Sequence, residues 1–276
     1  MRKTAACQIC ENRLYYELSK LEGGCAMKKK TVKNVLYYVV LAVLVAVFCF
    51  SAYKIYSYYA EKRESTRLNE TVAREYTIRK TGQAKEEEEY FQVDFDQLRQ
   101  QNSDAVAWLY LKGTPINYPV LQHDDNVYYL DHQIDGSVNS NGSIFMDYRN
   151  APDFSDRNTL IYGHHMRTGN MFGKLVNFKS DSYYQQNDHM YLMTPQGTYR
   201  LDLLCGAVVD PTDPIYSVDP TPEALSACMS KSTFQTKLDL PSEDARLVTL
   251  STCSYEFEDA RYIVIGVLTP VPDAQT

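Results

Sequence analysis

Apolar positions follow two different patterns along the chain. From Asn34 to Tyr53, twenty consecutive residues carry no charge and include VVLAVLVAVFCF at 39–50. As a helix rising about 1.5 Å per residue, this run would span roughly 30 Å, one hydrocarbon core. It is longer than a signal peptide's apolar region, and ends in Tyr53-Lys54-Ile55-Tyr56 with no small-residue cleavage pattern. The length favours an uncleaved membrane anchor over a buried core helix. Beyond it, apolar positions thin out. Leu68, Val72 and Tyr76 are spaced i, i+4, i+8, one face of a helix, so a helical stalk is expected over 54–93. The acidic run 86–89 and the single Gly82 fall in this stalk, the acids as a solvated face. Asp94 can cap a short helix through Gln101, with Phe95 and Leu98 turned inward.

The texture then changes to short apolar runs separated by turn residues. The runs are 106–111, 116–121, 143–147, 159–163, 190–194, 199–209, 246–253 and 261–268. Eight short strands with few long helices predict a mainly β barrel or sandwich. One helix interrupts them at 222–234. Pro222 suits its first turn, and Leu225, Cys228 and Met229 form one face.

Charge gives the anchor a direction. Residues 1–33 hold eight Lys/Arg and three Asp/Glu, net +5; with none at 34–53, residues 54–276 carry 20 basic and 32 acidic residues, net −12, and the sum is −7. Lys28, Lys29, Lys30 and Lys33 abut the N-terminal end of the apolar run, which predicts that end in the cytoplasm. Tyr37, Tyr38, Tyr53, Tyr56, Tyr58 and Tyr59 stand where an aromatic belt would. The expected organisation is a cytoplasmic tail at 1–33, an anchor at 34–53, a stalk at 54–93 and an extracellular domain at 94–276. Met27 followed by three lysines reads as a natural start, which would make residues 1–26 an upstream extension. Cys7, Cys10 and Cys25 fall short of the four ligands of a zinc site. The acidic balance excludes a general nucleic-acid binder.

No Gly-rich phosphate loop, HExxH or Gly-x-Ser-x-Gly occurs, so the candidates for chemistry are cysteine and histidine. Cys205 in a long apolar strand and Cys228 on a helix's apolar side read as buried small hydrophobes, with a disulfide between them left open. Cys253 differs. It ends one strand, a seven-residue polar loop follows at 254–260, and Arg261 opens the next strand. An antiparallel hairpin brings such strand ends to about 5 Å, and a permanent cation beside a thiol favours the nucleophilic thiolate. His164, directly after Gly163, stands at a strand tip, where a scaffold presents a reactive side chain. His123, His132 and His189 lie in polar, turn-like contexts and read as surface residues. Asp124-Asp125 reads as a turn rather than a calcium site. On residue type alone, a catalytic Cys-His pair and a non-catalytic binding barrel with a structural Cys253 both stand.

The surrounding words narrow this. Thr249-Leu250-Ser251-Thr252-Cys253 with Arg261 eight positions on, and Tyr162-Gly163-His164-His165-Met166, resemble the sortase family. Its class B branch is the best match, through Asn117-Tyr118-Pro119-Val120, Tyr128-Tyr129-Leu130, the segment 142–150 (GSIFMDYRN) and Met171-Phe172-Gly173. The likeness runs over 94–268 and includes the helix inserted before the last two strands.

The resemblance implies a membrane-anchored cysteine transpeptidase of a Gram-positive bacterium, built on a closed eight-stranded β-barrel. It implies Cys253 as nucleophile, His164 as general acid and base, and Arg261 as the cation that orients substrate and stabilises the oxyanion. Ser251 and Thr252 flank the nucleophile and would bind substrate through hydrogen bonds, and His165 is left without a role. No cofactor or metal is implied. The partners would be secreted proteins with a C-terminal sorting motif of the NP-x-T-N/G kind, cleaved after Thr, and the amine of a peptidoglycan precursor. A pilus-type sortase, with a pilin lysine as acceptor, would use the same catalytic residues.

Overall fold

The computed structural model describes residues 5–78 and 90–272, residues 5–30 by their backbone alone. The acidic run 86–89, Gly82 and the side chains of Cys7, Cys10 and Cys25 lie outside the described residues. Helix α1 (Ala5–Tyr76) contains the apolar run. The chain divides into two compact units, one ending at Ala60 and one of Glu61–Thr276. In the first unit, every residue from 31 to 56 is exposed. A helix that is apolar on all sides and uncovered by protein is compatible with membrane anchoring.

The second unit is a closed barrel of eight strands. Two-residue strands β1 (Thr77–Ile78) and β2 (Gln92–Val93) pair outside it. The barrel strands are β3 (Ala105–Tyr110), β4 (Asn117–Leu121), β5 (Ile144–Met146), β6 (Asn158–Tyr162), β7 (His189–Thr194), β8 (Gly197–Val209), β9 (Leu247–Cys253) and β10 (Arg261–Pro270). Their order is β10-β8-β7-β3-β4-β5-β6-β9, closed by β9 on β10. All eight apolar runs became strands, and the choice between barrel and sandwich resolves to a barrel. β4 with β5 and β6 with β9 are parallel pairs; the other neighbours are antiparallel.

Alternation along the strands sorts inside from outside. Val248 and Leu250 of β9, Tyr262 and Val264 of β10, and Leu109 and Ile161 share one buried cluster within the barrel. The intervening Thr249, Ser251 and Cys253 are therefore on the opposite face of β9. A second cluster covers one wall from outside and joins Val72, Tyr76, Phe95 and Leu98 to Trp108 and Tyr191. Helix α2 (Phe95–Gln101) is capped by the Asp94 side chain, which accepts from Gln97 N–H, and it buries Phe95 and Leu98, as the sequence pattern predicts.

Two boundaries differ from those expected. The stalk expected over 54–93 includes chain that packs into the barrel unit. Ser65, Val72 and Tyr76 are buried, on the helical face predicted from Leu68, Val72 and Tyr76. Asp94 N–H donates to the Tyr76 carbonyl at 2.9 Å, fastening the helix end to the start of α2. The inserted helix α3 (Pro222–Ser230) is shorter than 222–234. By Thr233 the chain has left the helical path: its N–H donates to the Gly206 carbonyl at 2.7 Å, not back along the helix, and its hydroxyl meets the Phe178 carbonyl and the Tyr262 hydroxyl. A third cluster packs α3 on β8 and β10 through Leu225, Cys228, Cys205 and Ile263. Cys205 and Cys228 are free thiols here. The hydrogen bond with Cys228 and burial together push the Cys205 thiol well above its ordinary value.

Candidate active site

The outer face of β9 carries Cys253 between two neighbours. On one side Arg261 of β10 is the direct cross-strand partner of Cys253, so their Cα atoms stand about 4.5–5.5 Å apart. On the other side β6 runs parallel to β9 with Tyr162 opposite Ser251. That ladder ends there, with Gly163 N–H donating to the Ser251 carbonyl at 3.1 Å, and His164 follows directly. Histidine, cysteine and arginine are thus carried at the ends of three neighbouring strands. They line one groove of about 250 Å³ with Asn126, Leu130, Phe145, Tyr162, Gly163, Ser251 and Thr252. Cys253 is partly exposed, unlike the buried Cys205 and Cys228.

Local bonds fix each member. His164 Nε2 is 2.7 Å from the Leu130 carbonyl. A carbonyl only accepts, so Nε2 carries the proton there and Nδ1 remains to take up or release one. Arg261 Nη1 donates to the Asp259 and Ala260 carbonyls at 2.7 and 3.2 Å. This holds one edge of the guanidinium against the loop and leaves Nε and Nη2 as further donors. Gly163 has no room for a side chain: a Cβ there would lie 2.4 Å from Ile144 Cδ1 and 2.8 Å from the Phe172 ring.

Ser251 and Thr252 line the groove, but their hydroxyls are engaged in the scaffold. Thr252 donates to the Gly163 carbonyl at 2.8 Å, tying β9 to the residue before His164, and the Ser251 and Tyr216 hydroxyls are 2.7 Å apart. His165, left without a role by the sequence, has Nδ1 2.9 Å from the Cys253 carbonyl and its ring 5.2 Å from that of Tyr255.

The histidines expected on the surface are half-buried. His123 and His132 both stack on the Tyr128 ring, with centroids at 4.4 and 4.0 Å, because a flat imidazole beside tyrosine covers apolar area while keeping a polar edge. Asp125 accepts from the Val127 and Tyr128 N–H groups, so the Asp124-Asp125 segment is the turn expected. Asn126, Leu130, Phe145 and Tyr162 were not singled out as site residues from sequence. Their only signal was membership of the words YYL, GSIFMDYRN and YGHHM, or closeness to them.

Comparison with known proteins agrees with this layout. The family model described as Sortase domain matches residues 109–269. Sortase B of Listeria monocytogenes is 31% identical over 240 residues, covering 82% of this chain and 94% of the relative. Among solved structures, a Staphylococcus aureus sortase B–substrate complex is 30% identical with a TM-score of 0.61, over 64% of this chain and 85% of that one. A Streptococcus pyogenes class B sortase involved in pilus biogenesis is 34% identical with a TM-score of 0.58, over 64% and 98%. A barrel of the same strand number, a cysteine flanked by histidine and arginine, and these matches across most of the chain lead to one conclusion: the chain belongs to the sortase family, in its class B branch, and is a transpeptidase.

Proposed function

We propose that Cys253 is the nucleophile, His164 the proton carrier and Arg261 the oxyanion donor of a reaction that cleaves a C-terminal sorting motif after Thr. The observation that carries this is the register pairing Cys253 with Arg261. The Cys253 thiolate attacks the carbonyl carbon of the Thr residue, and the developing oxyanion is met by the free guanidinium donors and a backbone N–H near the sulfur. The C–N bond then breaks. The departing amine takes a proton from the His164 imidazolium, and the acyl group remains as a thioester. An acceptor amine attacks that thioester, His164 takes the amine's proton, and the thiolate leaves. Two acyl transfers replace one direct amide exchange.

The substrate read from the class B resemblance is a secreted protein with a motif of the NP-x-T-N/G kind, and the acceptor is a peptidoglycan-precursor amine. The lysine cluster before residue 34 supports an N-terminus in the cytoplasm and a catalytic unit outside. Protease added to wall-stripped cells should then digest the catalytic unit, and protection would reverse that orientation. A second acceptor, a pilin lysine, is favoured by one observation, the 34% identity to a relative involved in pilus biogenesis. Competition between diaminopimelate peptide, glycine peptide and pilin lysine separates the two.

Roles are tested by kcat/KM on a fluorogenic sorting-motif peptide, with folding checked by circular dichroism. Cys253→Ala should abolish turnover and His164→Ala should nearly do so, while His165→Ala keeps much more activity. Arg261→Lys loses the planar fork and should fall by on the order of 10²-fold, the scale of one oxyanion donor. Near-wild-type Arg261→Lys would make Arg261 a diffuse charge. A dead His165→Ala beside an active His164→Ala would exchange the two histidines' roles.

A further inference from the structure

Behind the groove, and not lining it, lies a fully buried carboxylate, Asp147. Its Oδ2 accepts from Asn126 Nδ2 at 3.1 Å, the Tyr162 hydroxyl at 2.8 Å and Arg149 Nη2 at 2.8 Å. Its Oδ1 accepts from Arg149 Nε at 2.9 Å and the Arg149 N–H at 3.0 Å. Two of its donors, Asn126 and Tyr162, form part of the groove wall. A third wall residue is reached indirectly: Arg149 Nη2 donates to the Tyr216 carbonyl at 3.3 Å, and the Tyr216 hydroxyl meets Ser251.

The consequence for Asn126 is specific. Its Oδ1 accepts from the Tyr148 N–H at 3.0 Å while its Nδ2 donates to Asp147. Both ends of the amide are thereby committed, its flip is excluded, and one N–H remains for a ligand. Tyr162 is oriented by the same oxygen, with its ring 5.4 Å from that of Phe145. A buried carboxylate is expensive unless its lone pairs find donors, and here five donors meet the two oxygens.

We propose that Asp147, braced by Arg149, is a positioning residue that sets Asn126 and Tyr162 to grip the sorting peptide, and so governs peptide affinity rather than the acyl-transfer chemistry at Cys253. This rests on the peptide-cleaving function proposed above. An amide at position 147 has one acceptor oxygen, so Asp147→Asn strands donors on either the Arg149 side or the Asn126–Tyr162 side.

The test combines steady-state kinetics on the sorting-motif peptide, alkylation of Cys253 by iodoacetamide without peptide, and a mutant cycle. Asp147→Asn should raise KM about tenfold or more while kcat stays within about threefold. Cys253 alkylation should match wild type. In an Asn126→Ala background, Asp147→Asn should add little, because residues that act through one another are not additive. If Asp147→Asn fails to fold, Arg149→Gln loosens the same carboxylate from a side chain 44% exposed and is held to the same outcome. Unchanged KM in a folded variant, full additivity with Asn126→Ala, or alkylation falling in step with kcat/KM overturns the proposal. A wild-type protein that cleaves no sorting peptide would instead sink the functional reading beneath it.

Discussion

Gly163→Ala perturbs the site without touching a reactive group. The new methyl would lie 2.4 Å from Ile144 Cδ1, 2.8 Å from Phe172 Cδ2 and 2.9 Å from Phe172 Cγ. Ile144 is 1% exposed and Phe172 fully buried, so neither has solvent to move into. Forcing one extra carbon into a filled core costs about 1–3 kcal/mol. At about 2 kcal/mol, the midpoint of a domain this size should fall by roughly 4–8 °C. Activity should fall further than stability accounts for. Gly163 N–H donates to the Ser251 carbonyl at 3.1 Å and its carbonyl accepts from Thr252, so backbone relief at 163 shifts His164 relative to β9. A displacement near 1 Å costs on the order of 10²-fold in rate. The structure also supplies a repair. Ile144→Val removes Cδ1, the nearest atom, so Gly163→Ala/Ile144→Val should regain part of both losses, while Ile144→Val alone costs only about 0.5–1.5 kcal/mol. Thermal melts and kcat/KM on the four proteins decide. A Gly163→Ala protein as stable and active as wild type, or a double variant no better than the sum of its parts, refutes the packing described around His164.

Two further outcomes follow from the scaffold. A chain beginning at Tyr58 keeps Val72 and Tyr76 and should fold and cleave peptide. One beginning at Asp94 loses both, and with roughly 1.5–3 kcal/mol for each large buried side chain it should melt markedly lower; equal melting temperatures would show that the helix is dispensable. Lys179 pairs with Glu256 and, with Ser254, holds the Glu256 carboxyl at about 2, below its ordinary 4.5. A carboxyl depressed on folding stabilises above its unfolded value and stops doing so as pH falls through its folded one. Pepsin should therefore spare the loop 254–260 at pH 4 and cut it near pH 2, whereas Glu256→Gln is cut at both; equal cutting of the two proteins at pH 4 would contradict the clamp.

Much of the barrel was legible because each strand announced itself locally. Apolar runs bounded by turn residues mark strands whatever their partners, and Asp94 marked α2 through a single side-chain bond. The hairpin of β9 and β10 joins neighbours in sequence, so the juxtaposition of Cys253 with Arg261 could be read from loop length. The parallel pairing of β6 with β9 joins residues about ninety apart and leaves no local trace. Only the family words connected His164 to Cys253. The docking of α1 was hidden for another reason: Leu68, Val72 and Tyr76 give a sparse stripe, and a sparse stripe describes a solvated stalk as well as a packed helix. Asp147 was the least legible residue, since an aspartate after SIFM reads as the turn that ends a strand. Its five donors come from the turn beside it, from Asn126 twenty-one residues upstream and from β6, and they converge only once the barrel closes.

The central claim is that Cys253 carries the acyl group. Protein mixed with a sorting-motif peptide and quenched in acid during turnover should show, by intact mass, the addition of the N-terminal cleavage fragment. Digestion should map that mass to the peptide containing Cys253, hydroxylamine should remove it, and Cys253→Ala should not acquire it. Cleavage that proceeds with no adduct, or an adduct on Cys205, Cys228 or Cys49, would contradict the account.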